Sequence, residues 1–262
     1  MRTGSSAGNG SPGSHEIGRR GEREPQQLFA RRPQPVGPSM WMLPDGDQAD
    51  EDGVVGIGAD LGPATLVDAY QRGIFPWPHV GMPLPWFSPD PRAIIPLDRL
   101  RVSRSLRARL RSSGWVTTVD TAFREVVEAC AMRPPGTGTW ITPELARSYL
   151  RLHHLGWAHS FEVWDRDQLV GGMYGVQVGA SFTGESMFHR RTDASKVALV
   201  DAVDRLAEAG GWMLDVQLPT PHLERLGAIE VPRAWFLDQL AAAREQTVRL
   251  SVTPRPVRWL RR

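Results

Sequence analysis

From about residue 40 onwards, apolar residues recur at helical or strand spacing, whereas before that point they are sparse. Helical spacing predicts helices that begin at Pro63, at Asp120, at Thr142 and at Thr192 or Asp193, with two later ones ending near Leu226 and covering 234–243. Strand-like runs predict strands over 116–119, 159–164, 168–177, 180–188 and 212–218. Because short turns separate the middle three runs, we expect these to be antiparallel neighbours.

Three antiparallel strands followed by a helix, a strand and another helix give an α+β order, which is that of the GNAT-like acyltransferase fold. A shared fold does not fix the chemistry. We expect a disordered tail over 1–38, a small N-terminal domain over 39–92, and a GNAT-like catalytic domain over 93–262 with a mixed, largely antiparallel sheet. The tail is rich in Gly, Ser, Pro, Arg and Gln, and it has too few apolar residues to offset the entropy of the chain.

Composition narrows the class of protein. With 262 residues, 41% of them hydrophobic, the chain can form a substantial core. The formal net charge is only +2, so any contact with nucleic acid requires a local basic patch. Cys130 is the single cysteine, which excludes an intramolecular disulfide framework and favours the cytoplasm. No apolar run is long enough to cross a bilayer, so we expect no membrane partner.

Acidic and amide side chains interrupt two runs that otherwise have the pattern of buried strands. Asp215 and Gln217 are two positions apart, so on a strand both point to one face. Glu185 lies in the run 184–188. Burying an unpaired polar group costs roughly 2–7 kcal/mol, which makes these residues candidates for a functional site. The alternative is a pair whose polar groups are satisfied structurally.

Glycines and soft apolar residues occur together in the same predicted strands. Three glycines within 171–175 weaken a strand and permit close approach of another backbone or of a ligand. Met173, Phe182 and Met187 lie nearby in the pattern and could line an apolar pocket. Ordinary core packing is the alternative for each of them.

Motifs for several other chemistries are incomplete. Gly56 and Gly58 lack a third glycine at the spacing of a dinucleotide loop, and Ser186 lacks the second glycine of a nucleophile elbow. Cys130 lies on the apolar stripe of a predicted helix, and the histidines show no metal-ligand spacing. The turn 189–196 contains no glycine, which argues against coenzyme A as an acyl donor. We therefore expect no metal and no organic cofactor.

The segment 102–111 contains the strongest basic patch. If the segment is helical, Arg104, Arg107 and Arg111 fall on one side of it. These side chains would contact the phosphates of a nucleic-acid backbone. A solvated Arg face beside a core face is the alternative.

Motifs taken in order along the chain closely resemble the leucyl/phenylalanyl-tRNA–protein transferase family, from about residue 41 to about residue 240. The segments that carry the likeness are 71–77, 86–92, 138–142, 162–164, 170–175, 184–188, 194–196, 215–217, His222 and 226–228. Two positions depart from the common pattern of the family. Phe87 stands where a second Trp is frequent, and Thr220 lies where some relatives have an amide side chain.

The resemblance implies transfer of Leu, Phe or sometimes Met from its tRNA to the N-terminal Arg or Lys of an acceptor protein, which marks that protein for N-degron proteolysis. It implies that Asp215 and Gln217 form the catalytic pair and that Glu185 helps to hold the cationic acceptor N-terminus. It also implies that Met173, Phe182 and Met187 line the pocket for the donor side chain. Trp77 and Trp140 would contact the terminal adenosine of the tRNA. The phosphates of the acceptor stem would be contacted by Arg104, Arg107 and Arg111.

We therefore expect a cytoplasmic monomer whose partners are aminoacyl-tRNA and acceptor proteins. Two alternatives stay open at this point. One is a GNAT-like N-acetyltransferase, and the other is a non-catalytic RNA-binding or peptide-binding module.

Overall fold

The structure is a computed structural model that describes residues 28–79, 81–132 and 139–260. Its α-helices are α1 (Pro63–Gln71), α2 (Arg104–Ser112), α3 (Phe123–Ala131), α4 (Pro143–His154), α5 (Ala194–Glu208), α6 (Pro221–Arg225) and α7 (Arg233–Arg244). Its strands are β1 (Val54–Ile57), β2 (Phe75–Pro76), β3 (Pro85–Phe87), β4 (Arg92–Pro96), β5 (Val116–Val119), β6 (Ala158–Asp165), β7 (Gln168–Val178), β8 (Ser181–His189), β9 (Met213–Gln217), β10 (Ile229–Val231) and β11 (Arg255–Pro256). None of the helices in these ranges combines the length and the apolar character that crossing a membrane requires.

Eight of the strands in the described part of the chain form one sheet, in the order β10-β4-β9-β8-β7-β6-β5-β11. Neighbouring strands are antiparallel except for β8 and β9, which are parallel because α5 crosses over between them. The antiparallel strands β6, β7 and β8 are followed by α5 and β9, as the sequence predicts. The α+β class, with a mixed and largely antiparallel sheet, is confirmed.

The large sheet separates two apolar cores. On one face, α5 packs against β6, β7 and β8 through side chains such as Val197, Val200 and Leu206. On the other face, α1, α3, α4 and α7 contribute residues such as Leu66 and Leu145. Because β7 and the first half of β8 are buried, a polar side chain there is costly unless it is hydrogen-bonded.

Local sequence signals fix the ends of α4. Thr142 precedes the helix, and its hydroxyl accepts a hydrogen bond from the backbone N–H of Leu145 at 3.2 Å. Pro143 occupies the first helical position, where its missing N–H costs nothing. Beyond the helix, Gly156 has a φ of +80°, which glycine adopts without steric strain.

Two acidic residues that the sequence suggests as helix caps have other partners. The Asp120 carboxylate accepts from the backbone N–H of Ser160 at 3.0 Å and lies 2.8 Å from Nδ1 of His159. Asp193 does precede α5, but its carboxylate pairs with Nζ of Lys196 at 2.8 Å and makes no capping bond to the backbone. In both cases an ionic or long-range partner competes successfully with the local backbone.

The region before β4 forms a small sheet of its own, in the order β1-β3-β2, within the segment predicted as an N-terminal domain. Residues 28–38, which fall in the segment predicted as a tail, are mostly exposed but form hydrogen bonds with distant parts of the chain. The N–H of Ala30 donates to the carbonyl of Leu250 at 2.8 Å, and Nε1 of Trp157 donates to the carbonyl of Gln34 at 2.8 Å. These partners are distant in sequence, so composition alone could not reveal them. Residues 1–27 of the predicted tail lie outside the described residues.

Candidate active site

A cavity of about 530 Å³ lies between the second half of β8, the end of β9, α6 and the loop that follows α1. Its apolar walls are formed by Phe75, Pro76, Trp77, Trp140, Met173, Met187, Leu199, Val216, Leu218 and Leu223. Glu185, Gln217 and His222 contribute polar side chains to the lining. A concave, mostly apolar site with a few placed polar groups is typical of small-molecule binding.

A buried ion pair lies behind this cavity. Asp215, on β9, is fully buried, and its carboxylate accepts from Nε of Arg92 at 2.8 Å and from Nη2 at 2.7 Å. Arg92, on the neighbouring strand β4, also donates to the carbonyl of Gly73 at 3.1 Å. Its guanidinium lies 5.0 Å from the ring centre of Phe75 and 4.4 Å from that of Phe236. The pair is therefore bidentate and held on all sides, so neither charge is left uncompensated.

The remaining acceptor positions of Asp215 are also occupied. The hydroxyl of Thr183 donates to Oδ2 at 3.1 Å, and the backbone N–H of Gln217 donates to Oδ1 at 2.9 Å. Asp215 is not among the residues that line the cavity. All four contacts of Asp215 are therefore made within the protein, and its carboxylate is placed to fix its neighbours.

At Gln217 the backbone of β9 turns, and the side chain of this residue lines the cavity. Its φ of +64° lies in the left-handed region that residues other than glycine adopt rarely, and the bond from its N–H to Asp215 holds it there. As a result its side-chain Nε2 donates to Oε1 of Glu185 at 2.9 Å. Strand alternation predicts that Asp215 and Gln217 share one environment. The turn separates them, so that one is buried and the other lines the cavity.

Glu185 is the carboxylate that reaches the cavity, although it is only 8% exposed. Its Oε2 accepts from the hydroxyl of Tyr149 at 2.7 Å, and the hydroxyls of Tyr149 and Tyr70 lie 2.9 Å apart. Burial raises the pKa of Glu185 to about 7, although the hydrogen bonds from the two tyrosines oppose this rise. A carboxyl group with a pKa near neutrality can accept and release a proton at physiological pH.

An irregularity in the pairing of β7 with β8 places Glu185 at this point. Ser186 and Gly184 pair with successive residues of β7, so Glu185 between them is an extra residue, as in a β-bulge. A Cβ atom on Gly175 would lie 2.1 Å from the carbonyl oxygen of Thr183, so this bulge admits only glycine opposite it. The close approach that the glycines of β7 permit is thus that of a neighbouring backbone.

The binding residues predicted from the sequence divide into two groups. Those that line the cavity are Trp77, Trp140, Met173 and Met187. Phe182 does not line it, because its side chain is fully buried and its ring packs 5.5 Å from that of Phe161. Phe182 is therefore a core residue on the face that α5 covers.

The predicted basic patch is present on α2. Exposed side chains on that helix include Arg104, Arg107 and Arg111, while Leu106 and Leu110 are buried. The segment that leads into α2 borders on α6, since the N–H of Arg101 donates to the carbonyl of Leu226 at 2.9 Å. The patch residues Arg107 and Arg111 border a separate cavity that Arg258 also lines.

Four residues of this arrangement are not identified as site residues by the sequence: Tyr70, Arg92, Tyr149 and Thr183. Arg92 carries a weak signal, because it begins a strand that is otherwise apolar. Tyr70 and Tyr149 have the spacing of ordinary core residues on α1 and α4. Only the packing of those helices brings their hydroxyl groups to Glu185.

The arrangement can hold an apolar group beside an amine. The apolar walls accept the first, and the Glu185–Gln217 pair provides an acidic and an amide oxygen for the second. A proton leaving that amine would find Glu185 close by, in an environment that keeps part of it ionised at neutral pH.

Comparison with known proteins gives a consistent result along the chain. Residues 94–241 match the family model described as leucyl/phenylalanyl-tRNA protein transferase, and residues 59–90 match the model of its N-terminal domain. A relative from Anaeromyxobacter dehalogenans with the name leucyl/phenylalanyl-tRNA–protein transferase is 51% identical over 206 residues, which covers 78% of this chain and 88% of the relative. A relative of the same name from Aromatoleum aromaticum is 52% identical over 193 residues, covering 73% of this chain and 81% of the relative.

Among solved structures, L-PGS from Bacillus licheniformis is matched with 12% identity and a TM-score of 0.35. That match covers 68% of this chain and 60% of the other. A likeness this loose has no bearing on fold or function.

Proposed function

The chain belongs to the leucyl/phenylalanyl-tRNA–protein transferase family, and we propose that it transfers leucine or phenylalanine, and in some cases methionine, from tRNA to the N-terminal Arg or Lys of acceptor proteins. The new peptide bond marks the acceptor for N-degron proteolysis. The observation that carries this proposal is the Glu185–Gln217 pair in a mostly apolar cavity.

The reaction is aminolysis of an ester. The α-amine nitrogen of the acceptor attacks the carbonyl carbon of the aminoacyl ester, the C–N bond forms, and the bond from that carbon to the ribose oxygen breaks. One proton leaves the amine, and one is taken up by the departing ribose oxygen. An α-amine with a pKa of about 8 is partly neutral at physiological pH, so positioning and proton transfer are what the enzyme must supply.

Glu185 takes the proton in this proposal, and Gln217 positions the amine. The Nε2 group of Gln217 donates to Glu185, so its carbonyl oxygen is the atom left to accept an N–H of the incoming amine. A neutral amide is a poor base, whereas a carboxylate with a pKa of about 7 is well matched to an amine. Asp215 and Arg92 act through Gln217, whose backbone they fix.

The donor occupies the apolar part of the cavity. Met173 and Met187 are unbranched and adaptable, so their walls can accept both a leucine and a phenylalanine side chain. Trp77 and Trp140 line the same cavity and present aromatic faces to the terminal adenosine. The arginines of α2 contact phosphates farther along the tRNA.

We also propose that the protein works in the cytoplasm as a monomer. Aminoacyl-tRNA is made in the cytoplasm, where this donor is available.

A transfer assay tests the proposal directly. Radiolabelled leucine on tRNA is offered to a peptide that begins with Arg and to one that is identical except for an N-terminal Ala. We expect labelled leucine in the first peptide only. When acetyl-CoA with a labelled acetyl group replaces the charged tRNA, we expect no label in either peptide. Equal labelling of both peptides would contradict the acceptor specificity, and transfer of acetyl groups would contradict the donor.

A further inference from the structure

A second cavity, of about 810 Å³, adjoins the first one and shares Met187 and His222 with it. One side of this second cavity is formed by the end of α3, including Ala129 and Cys130. The other side is formed by the turn between β8 and α5 and by the first residues of α5. The two cavities therefore meet at Met187 and His222.

The lining of the second cavity is positively charged. Arg190 and Lys196 contribute two cations, while Asp193 contributes one carboxylate. Nζ of Lys196 lies 2.8 Å from that carboxylate, and an ammonium group has three N–H donors, so two donors stay available to a ligand. His189 and His222 line the same space and add further ring N–H groups.

The pKa of His222 reflects its burial and the positive charge of the residues around it. Burial lowers the pKa of His222, and the positive charges of Lys196, Arg225 and His189 lower it further. Lys196 and His222 also line the same cavity, so one anion in it can contact both side chains. The side chain of Lys196 is 35% exposed, so it is accessible from the cavity.

We propose that Lys196 and His222 bind the phosphate that joins the terminal adenosine of the tRNA to the preceding nucleotide. This rests on the proposed function and extends the donor site by a phosphate subsite in the second cavity. An adenosine held beside Trp77 and Trp140 must continue through its 5′ carbon to a phosphate, and the boundary at His222 is the exit that carries cations. Lysine binds phosphate as a compact charge with several donors.

The acceptor peptide fits this second cavity poorly. Its α-amine and its N-terminal Arg or Lys side chain both carry positive charge, and they would meet Lys196 and Arg190. Repulsion between like charges at short range disfavours that placement. Charge therefore favours the RNA over the peptide as the occupant.

Binding of two stable analogues tests the subsite. In both, phenylalanine is joined through an amide to 3′-amino-3′-deoxyadenosine, and only one carries a 5′-phosphate. We expect the wild-type protein to bind the phosphorylated analogue about tenfold more tightly, since hydrogen bonds to charged groups contribute on this scale. Dissociation constants are measured by calorimetry, and the ratio between the two analogues is the readout.

Three variants locate the phosphate contact. Lys196→Gln and His222→Gln should each lower the ratio severalfold towards one, and Lys196→Arg should restore most of it because a cation is retained. Arg244→Gln is the matched control, since it removes an exposed cation from α7, away from the two cavities, and should keep the ratio of the wild type.

Several outcomes would overturn the subsite. They are a wild-type ratio of one, a ratio in Lys196→Gln equal to that of the wild type, or an equal loss of affinity for both analogues in that variant. If Lys196→Gln raised the KM of the acceptor peptide and left the binding of both analogues unchanged, the second cavity would belong to the peptide. If the wild type transfers no leucine in the assay described above, the proposed function itself fails; if it does transfer leucine and the ratio is one, only the subsite fails.

Discussion

At the scale of single residues, two carboxylates in one region have different chemistry because their partners differ. Asp215 is surrounded by a guanidinium, a hydroxyl and a backbone N–H, and no acceptor position is left for a substrate. Glu185 is bonded by neutral donors, and burial brings its pKa to about 7. Glu185, not Asp215, is the residue suited to exchange protons.

Replacing Asp215 by Asn should mainly cost stability. Arg92 would be left buried opposite a neutral group, and breaking a buried pair costs about 3–5 kcal/mol. We expect the free energy of unfolding, measured by denaturant titration, to fall by about that amount.

Gln217→Ala is the control for this prediction. It removes the amide but keeps the ion pair, so stability should change by less than about 1 kcal/mol while the rate of transfer falls by about 10²-fold. If Asp215→Asn had wild-type stability and no transfer activity, the positioning role of Asp215 would be wrong.

Glu185 should set the dependence of transfer on pH. The carboxylate is the active form, so kcat/KM for the acceptor peptide should rise as pH increases through about 7. In Glu185→Gln we expect a rate about 10²-fold lower and a profile that keeps only the ionisation of the acceptor amine, near about 8. Initial rates over a pH series, corrected for spontaneous hydrolysis of the ester, make the measurement. A rise centred on about 7 that persisted in the variant would remove Glu185 from the reaction.

The same pKa predicts a change in stability of known sign. Because the pKa of Glu185 is raised from 4.5 to about 7 on folding, its contribution is fully present below about 4.5 and is lost as pH rises through about 7. Burial also raises the pKa of Glu162 to about 7. Both groups therefore lower the free energy of unfolding of the wild type over this range, and the difference between the wild type and Glu185→Gln isolates one of them.

At the scale of elements, the site depends on close contact between backbones. The bulge at Glu185 requires glycine at position 175, and a Cβ atom on Gly171 would lie 2.5 Å from that of Ala194 in the first turn of α5. The glycines that weaken β7 as a strand therefore let β8 and α5 approach it closely. This is how Glu185 faces Tyr149 on one side while Lys196 in α5 reaches the second cavity.

The exposed face of α2 should contribute to tRNA affinity through charge alone. Changing Arg104, Arg107 and Arg111 to Ala removes three exposed cations whose neighbours Leu106 and Leu110 keep the helix docked. We expect weaker tRNA binding and a salt dependence whose slope decreases by about one for each phosphate contact that is lost. Filter binding over a series of salt concentrations gives both quantities.

A second triple variant separates a specific contact from net charge. Arg124, Arg147 and Arg244 are exposed on α3, α4 and α7, and changing them to Ala lowers the charge of the protein equally. This variant should keep most of the affinity. Similar losses in the two triple variants would argue against a defined phosphate-binding face on α2.

At the scale of the whole molecule, the large sheet lies between two cores and the site lies where its central strands meet the first part of the chain. Phe75 and Trp77, from the loop after α1, form walls of the cavity, and Arg92 connects this part of the chain to β9. Residues 28–38 connect to later parts of the chain through hydrogen bonds with Leu250 and Trp157. Segments that are far apart in sequence thus hold the cavity walls in fixed relation.

The sequence by itself determined the family and the order of the elements from β5 to α7, whereas β1 to β4, β10 and β11 were not predicted. Apolar spacing along a helix or strand is a local property, so α1, α4, β5 and the strands β6 to β8 could be predicted within a few residues. Family motifs are also local, and they indicated Glu185, Gln217 and the two tryptophans that line the cavity.

Only the tertiary structure decided which side chains pair with one another. Arg92 and Asp215 are 123 positions apart, and their pairing depends on β4 lying beside β9. The hydroxyl bond from Tyr149 to Glu185 depends on a helix packing over a bulge, and the same topology buries Phe182 on the face covered by α5. Spacing along the chain indicates on which face of its own helix or strand a residue lies. It does not state which distant group lies opposite, because that depends on strand register and helix packing across the whole fold.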